Sequence, residues 1–243
     1  EEAIRTCQKL KSVKLPKSLE VLGRGAFYSC TALTSVELPS TLKQMSYLVF
    51  AECTSLQAIS LPAGLEVLQL PDTFKNCTNL SVIRASGSMS AVGASITDVF
   101  TQEQKDAITV VLPAVGDNGE NYADMETAWR EYKFTKFSPM SGALPLASDT
   151  PGSPNTNEEI AGWSLSDDGT LTIHSTEKIA NFAWDYKGAE MNTHYWGPVR
   201  LLVTAVDTTQ VASVDTSTAC WFRSMPNLVD ISRAAKIPVG VID

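Results

Sequence analysis

Four cysteines recur at a nearly constant spacing in the first third of this chain. Cys7, Cys30, Cys53 and Cys77 lie 23, 23 and 24 residues apart. A fixed period in the low twenties is typical of stacked repeats, in which each unit packs only on its neighbours, and not of a closed globular core. The spacing therefore predicts a solenoid, and solenoids offer extended surfaces that commonly bind other molecules.

Other residues keep the phase of the cysteines. A leucine follows each cysteine by three positions, a valine or isoleucine by six, a proline follows the apolar run, and a phenylalanine stands three positions before the next cysteine. These residues are Leu10, Leu33, Leu56 and Leu80; Val13, Val36, Ile59 and Ile83; Pro16, Pro39 and Pro62; and Phe27, Phe50 and Phe74. Proline ends a strand because it has no N–H for the ladder. Each repeat is predicted to hold a short strand, a proline turn, a second extended piece, and a turn or short helix that carries the phenylalanine.

The cysteines themselves are interpreted as a packing ladder. Stacked strands bring equivalent residues to about 5 Å, which approaches disulfide range, but parallel side chains have poor geometry for a disulfide. Paired Cys-x-x-Cys motifs, which would indicate a zinc site, are absent. We therefore expect small buried side chains at these positions, and neither a metal nor a cofactor.

Two segments resemble a known repeat family, LPKSLEVLGRGAFYSCTALTSVELP at 15–39 and LPAGLEVL at 61–68. They resemble the BspA-like, or Treponema-type, leucine-rich repeats of Bacteroides-type proteins. The matching positions in one repeat are Gly23, Ala26, Phe27, Cys30, Leu33 and Val36. The resemblance covers residues 1–93 and implies an α/β leucine-rich repeat solenoid, right-handed, with repeats of about 23 residues. Because Ala3, Ile4 and Cys7 also fit inside a repeat, the chain is expected to be a trimmed or processed piece.

The rest of the chain divides by composition. Residues 108–138 hold a strand, a turn and a helix with an apolar stripe, and resemble the closing element of such arrays, so we expect a C-terminal cap that completes a domain at 1–138. Residues 139–158 are rich in Pro, Ser, Gly and Asn and predict a linker. Residues 159–243 predict a smaller, mainly β domain.

Within that second domain, Asp168 and Gly169 stand between alternating apolar and polar residues, which predicts a hairpin. Residues 201–203 are expected to form the next strand. The apolar residues from Val211 to Ile231 resemble one further, degenerate repeat.

Charge and length exclude several classes of function. The net charge of −8 and pI of about 4.8 argue against nucleic acid and against a polybasic membrane surface. No apolar stretch approaches the roughly 20 residues that span a bilayer. The two histidines, His174 and His194, lack positioned partners, and no nucleophile elbow, HExxH or P-loop motif occurs. The sequence therefore predicts that the protein is not an enzyme.

Two surfaces are candidates for binding. Outward positions of the repeat strands bring together Lys11, Lys14, Glu37, Gln57 and Arg84, because side chains alternate across a strand. An aromatic cluster in the second domain includes Trp184, Tyr186 and Tyr195. The alternative for the strand residues is a solvated sheet face that binds nothing. The alternative for the aromatic cluster is a hydrophobic core.

The resemblance implies a function outside the cell or on its surface. We expect a non-catalytic, monomeric adhesion protein whose partner is a host matrix or bacterial surface protein or glycan. A structural spacer that presents another module, and a carbohydrate-binding second domain, remain the alternatives.

Overall fold

The computed structural model divides the chain into two compact units, Glu1–Pro139 and Met140–Asp243. Its described residues are 4–69, 72–144, 148–149, 155–166, 168–179, 197–214, 222 and 225–234.

Short parallel strands build the first unit. They are β1 (Val21–Leu22), β2 (Ser35–Val36), β3 (Gln44–Met45), β4 (Ala58–Leu61), β5 (Val67–Leu68), β6 (Val82–Ala85), β7 (Thr109–Leu112) and β8 (Lys136–Pro139). One sheet has the order β2-β4-β6-β7-β8 and the other β1-β3-β5. The coils that follow Cys30 and Cys53 each add one strand to each sheet, with Pro39 or Pro62 between the two strands, as the periodicity predicts.

The register of the larger sheet keeps equivalent repeat positions side by side. Val36 pairs with Ile59, Ile59 with Ile83, and Ile83 with Val110. All four side chains are buried in the core. A single coil cannot bury these residues by itself, so the stacking of coils supplies the hydrophobic stabilisation.

Helices enlarge the coil that follows Cys77. A 3-10 turn at Ser90–Val92 leads into α1 (Gly93–Val99) and α2 (Gln102–Ala107), and α3 (Tyr122–Glu131) lies between β7 and β8. Thr101 begins α2 with a complete capping box, in which its hydroxyl accepts from the Gln104 N–H at 3.2 Å. Side-chain caps of this kind satisfy N–H groups that have no partner within the helix.

The phenylalanines form a stack through the core. Phe27 and Phe50 have ring centroids 5.4 Å apart, Phe50 and Phe74 5.7 Å, and Phe74 and Phe100 5.0 Å, all nearly parallel. Phe134 then meets Phe100 edge-on. The stack therefore continues one coil beyond the last periodic cysteine, to Phe100, whose place the sequence period did not identify.

The periodic cysteines are free thiols that hydrogen-bond between coils. The thiols of Cys30, Cys53 and Cys77 donate to the carbonyl oxygens of Ile4, Phe27 and Phe50, each at 3.1 Å. These three cysteines are buried, whereas Cys7 is exposed, which corrects the expectation of one buried cysteine in every coil. Among the described residues, no coil lies on the outer side of Cys7 to cover it.

Trp129 of α3 and Tyr132, directly after its end, fasten this helix to the segment after β6. The indole Nε1 of Trp129 donates to the carbonyl oxygen of Gly87 at 3.0 Å, and the Tyr132 hydroxyl donates to that of Ser88 at 3.0 Å. Trp129 and Met125 are fully buried. The apolar stripe read from the sequence therefore faces the core through these two residues.

The second unit is one five-stranded sheet. Its strands are β9 (Ser141–Ala143), β10 (Ala161–Leu165), β11 (Thr170–Ile179), β12 (Ala205–Val214) and β13 (Asp230–Arg233), in the order β13-β12-β11-β10-β9. β10 and β11 form the antiparallel hairpin expected around Asp168 and Gly169, and β12 and β13 add in parallel. Gly169 has a φ of +82°, and a Cβ there would lie 2.8 Å from the Leu202 carbonyl oxygen, so the turn requires glycine.

Two expectations for this region are wrong. The segment at 139–158 does not begin as a linker: Pro139 ends β8, Ser141–Ala143 pair with β10, and Met140 and Leu144 are buried. Sheet pairing and burial therefore override the loop-like composition. Residues 201–203 are not a strand either, because a 3-10 helix spans Pro198–Leu201, where the proline presets a helical φ.

Candidate binding surfaces

The outward row of the larger sheet is assembled in register. Lys14 lies beside Glu37 through an isolated parallel bridge, Ser60 pairs with Arg84, and Arg84 with Val111. The alternation of side chains puts all of them on the face opposite the core. The register therefore aligns Lys14 with Glu37, and Ser60 with Arg84, in neighbouring coils.

Exposure along this row changes from one end to the other. Lys11, Lys14 and Glu37 are exposed, and Gln57 is half-buried. Arg84, in contrast, is only 6% exposed, so its assignment as a surface ligand-binding residue is wrong. Its neighbours on the same face, Val82, Val111 and Ser138, are buried too, so the face immediately around Arg84 is closed to solvent.

The exposed part of the row is referred to below as the N-terminal strand face, and consists of Lys11, Ser12, Lys14 and Glu37. It carries two ammonium groups and one carboxylate on short extended segments. Charges of both signs on a solvated strand suit a polar partner and give little attraction to a purely apolar one.

The aromatic candidates of the second domain, Trp184, Tyr186 and Tyr195, lie outside the described residues. The assignment of this cluster to a binding site or to a core therefore stays a prediction.

A cavity that sequence reasoning missed lies at the phenylalanine turns of the repeats. It has a volume of about 200 Å³. Its lining residues are Arg5, Arg24, Gly25, Tyr28, Leu48, Ala51, Glu52 and Lys75. All of them come from the turns that precede the cysteines, and none from the N-terminal strand face. The available signal was a column of residues two positions before each cysteine: Arg5, Tyr28, Ala51 and Lys75.

The backbone below this cavity repeats from coil to coil. The residue directly before each cysteine is left-handed, with φ of 58° at Thr6, 58° at Ser29, 64° at Glu52 and 58° at Asn76. Left-handed backbone is costly for residues with a Cβ, so the surrounding packing must hold it. Part of that support is a ladder between coils, in which the N–H groups of Thr6, Ser29 and Glu52 donate to the next coil.

In the described part of the chain, no three His, Cys, Asp or Glu side chains lie close enough together to hold a metal ion. Within the same described ranges, no helix has the length and apolar character needed to cross a bilayer.

Comparison with known proteins identifies the repeat. The family model of the BspA type leucine rich repeat region matches residues 1–104 in six copies. No curated protein matches the chain.

Among solved structures, the crystal structure of a T. pallidum leucine-rich repeat protein matches with 19% identity, covering 56% of this chain and 76% of that chain, at a TM-score of 0.32. A likeness of that strength adds nothing to the fold, which rests on the family model and on the stacked parallel strands. The resemblance read from the residues is confirmed over residues 1–104, which match the BspA type leucine rich repeat model.

Proposed function

We propose that this protein is a non-catalytic binding protein that acts outside the cell or on its surface, and that it attaches to a protein or glycan of a host matrix or of another bacterium. The observation that carries this proposal is the N-terminal strand face, where the charged side chains of Lys11, Lys14 and Glu37 are exposed on adjacent coils. An extended, pre-formed face of this kind binds without ordering a loop, which lowers the entropic cost of association.

Charged residues on this face act mainly through complementarity. Opposite charges on a partner increase the association rate and fix the orientation of the complex, while exposed pairs add little affinity individually. Changing three charges together is therefore the appropriate perturbation.

The test is binding of the intact chain to immobilised matrix proteins and to bacterial surface extracts. The triple variant Lys11→Ala, Lys14→Ala, Glu37→Ala is expected to bind at least about tenfold more weakly than the wild type. The control variant Lys17→Ala, Lys43→Ala, Glu66→Ala removes the same charges from exposed positions elsewhere in the repeats and should bind normally. Equal affinity of both variants would exclude the strand face as the binding surface.

A spacer role makes the opposite prediction. If the repeats only present another module, no ligand is retained in this screen and both triple variants behave like the wild type. That outcome would replace the binding proposal with the structural one.

Two features of architecture belong to the same proposal. We infer that residues 108–138 cap a right-handed solenoid, since Trp129, Phe134 and Met125 bury large apolar side chains at the end of the array. We also infer that β12 and β13 form one degenerate repeat, because Ala205 pairs in parallel with Asp230, 25 residues further on. A capped array unfolds as one unit, so deletion of residues 108–138 is expected to expose apolar surface and cause aggregation.

A further inference from the structure

The first described coil concentrates positive charge on an acidic protein. Residues 1–17 hold five cations and two acids, a net charge of +3, whereas residues 18–243 hold 14 cations and 25 acids, a net charge of −11. The two acids of the first segment, Glu1 and Glu2, lie outside the described residues. Between residues 4 and 17 the charged side chains are therefore all cations.

Three of these cations lie on the segment that leads to the first strand position of the array. They are referred to below as the basic row, and are Lys9, Lys11 and Lys14. All three side chains are exposed. Two of them, Lys11 and Lys14, also belong to the N-terminal strand face, and Lys9 extends the positive charge beyond it.

The basic row is not neutralised by carboxylates of the protein. In the later coils, Lys43 pairs with Glu66 at 3.2 Å and Lys75 pairs with Asp72 at 3.3 Å. Within the described ranges, in contrast, none of the three lysines of the basic row forms an ion pair. Exposed ammonium groups without a counter-charge attract anions from solution and raise their local concentration.

The row is long and narrow. An extended chain rises about 3.3 Å per residue, so Lys9 and Lys14 spread three charges over at most roughly 17 Å. Across the row the charge changes sign, because Lys14 forms a parallel bridge with the exposed Glu37 of the next coil, and bridged strands lie only about 5 Å apart. An anionic partner must therefore follow the first coil as a single chain.

A track of this width excludes partners with a broad anionic surface. An anionic membrane or a DNA duplex would also face the acidic remainder of the protein, whose net charge of −11 repels it. A single anionic chain can lie along the lysines and stay clear of most of the acids.

The composition of the segment also excludes partners that need apolar anchors. Residues 8–20 contain no aromatic side chain, and Leu10, Val13 and Leu15 are packed against the core. Single-stranded nucleic acid binds largely by stacking its bases on aromatic rings, and protein partners depend on aromatic and arginine anchors. A charged polysaccharide, in contrast, requires cations and a polar surface, and the row provides both.

We propose that the basic row binds a linear polysaccharide whose sugars carry sulfate or carboxylate groups. Successive ammonium groups neutralise successive anionic groups, and the exposed hydroxyl of Ser12 lies between Lys11 and Lys14 to hydrogen-bond the sugars. The inference rests on the function proposed above, because it names the class of glycan that the N-terminal strand face takes and adds Lys9 to that surface.

The test is surface plasmon resonance of the full chain over immobilised heparin and hyaluronan oligosaccharides. Heparin carries sulfates and hyaluronan only carboxylates, so the two surfaces distinguish the anionic groups. Dextran and poly-L-glutamate serve as competitors in solution, and neither should displace the protein as well as heparin does. Binding should weaken steeply between about 50 mM and about 200 mM salt, because salt screens the lysines and opposes the release of counterions.

Replacement of all three lysines of the basic row by Gln is expected to weaken binding about tenfold, because each exposed ion pair contributes modestly. Lys9→Gln alone should weaken it about twofold. The matched control Lys17→Gln, Lys133→Gln, Lys136→Gln removes three exposed cations outside the row and should bind like the wild type. Glu37→Gln removes the flanking negative charge, so it should bind at least as tightly as the wild type.

Four results would each overturn the proposal: no binding to either polysaccharide, equal affinities of the two triple variants, a loss in Glu37→Gln as large as that in the lysine variant, or equally strong competition by poly-L-glutamate. If the chain binds matrix proteins but neither polysaccharide, this inference alone fails and the function proposed above stands. Failure of that function is seen separately, as equal affinity of the strand-face variant and its control for matrix proteins.

Discussion

The thiol of Cys53 donates a hydrogen bond to the carbonyl oxygen of Phe27 in the preceding coil, over 3.1 Å. The same carbonyl also accepts the N–H of Cys30, at 3.1 Å, from its own coil. One backbone oxygen is therefore shared between a bond within a coil and a bond between coils. A thiol serves both needs of this position, because it is small and apolar enough for the core and still has a hydrogen to donate.

This arrangement predicts that Cys53→Ala destabilises the protein more than removal of the thiol at an equivalent but exposed repeat position does. Loss of the thiol removes a hydrogen bond and leaves a small void, which together should lower the free energy of unfolding by about 1–2 kcal/mol. Cys7→Ala is the matched control, because Cys7 occupies the same repeat position but is exposed. Urea unfolding of both variants measures the difference, and equal effects would contradict a structural role for the inter-coil bond.

The buried thiols should also resist chemical modification. Burial raises the pKa of Cys53 from 9.0 to about 12, and it raises the pKa of Cys30 and Cys77 as well. At pH 8 a thiol with a pKa of about 12 is ionised in only about one molecule in ten thousand. In a Cys220→Ser background, we expect Ellman's reagent to modify Cys7 rapidly and the other three thiols only after unfolding.

The same shift has a consequence for stability. Because the pKa of Cys53 is higher in the folded than in the unfolded state, the contribution of the protonated thiol to the free energy of unfolding is complete below pH 9.0. It is lost as the pH rises through about 12. The destabilisation caused by Cys53→Ala should accordingly be constant between pH 6 and pH 8. A marked change across that interval would show that another group dominates.

The phenylalanine stack predicts a gradient of sensitivity along the array. Phe50 lies between Phe27 and Phe74, whereas Phe27 stacks on Phe50 alone among the described rings. Phe50→Ala should cost about 3–5 kcal/mol, and Phe27→Ala less by about 0.5–1.5 kcal/mol because one stacked pair is lost instead of two. Thermal or urea unfolding gives the ranking, and a larger effect at Phe27 would contradict the stack as a source of stability.

Glu120 provides a pH-dependent contact between the loop before α3 and the segment after β6. The Ser88 hydroxyl donates to its Oε1 at 2.7 Å and the Ser88 N–H to its Oε2 at 2.8 Å. The hydroxyl bond is the main cause of a lowered pKa for Glu120, which is opposed by partial burial. Because the pKa of the Glu120 carboxyl is depressed in the folded state, the ionised carboxylate stabilises the fold at pH values above the ordinary pKa of 4.5. This stabilisation is lost as the pH falls through the folded pKa.

Glu120→Gln is therefore expected to lower stability at pH 7 and to have a smaller effect at pH 3. Ser88→Ala should reproduce the loss at pH 7, because it removes the hydroxyl bond that lowers the pKa. Urea unfolding at the two pH values measures both variants. A loss for Glu120→Gln that is equally large at pH 3 would show that packing, and not the ionised carboxylate, is responsible.

Sequence periodicity was a good guide wherever the repeat is regular. Val36, Ile59 and Ile83 were predicted to share one buried row, and their strands pair in that register. It failed where neighbours from elsewhere in the chain decide the outcome. Arg84 has the pattern of an outward residue, yet it is buried with Val82 and Val111. A charged side chain can be buried when its surroundings provide partners, and no local pattern contains that information.

The same distinction applies to the cysteines and to the turn cavity. The sequence by itself determined the period of the array, the position of the repeat strands and their prolines, and the identity of the small residue in every coil, because these depend on contacts between residues at a fixed separation along the chain. Only the tertiary structure decided that the thiols donate to carbonyl oxygens of the preceding coil, and that the turns hold a cavity lined by Arg24, Glu52 and Lys75. Both features arise from the distance between neighbouring coils, which is set by the packing of the whole stack.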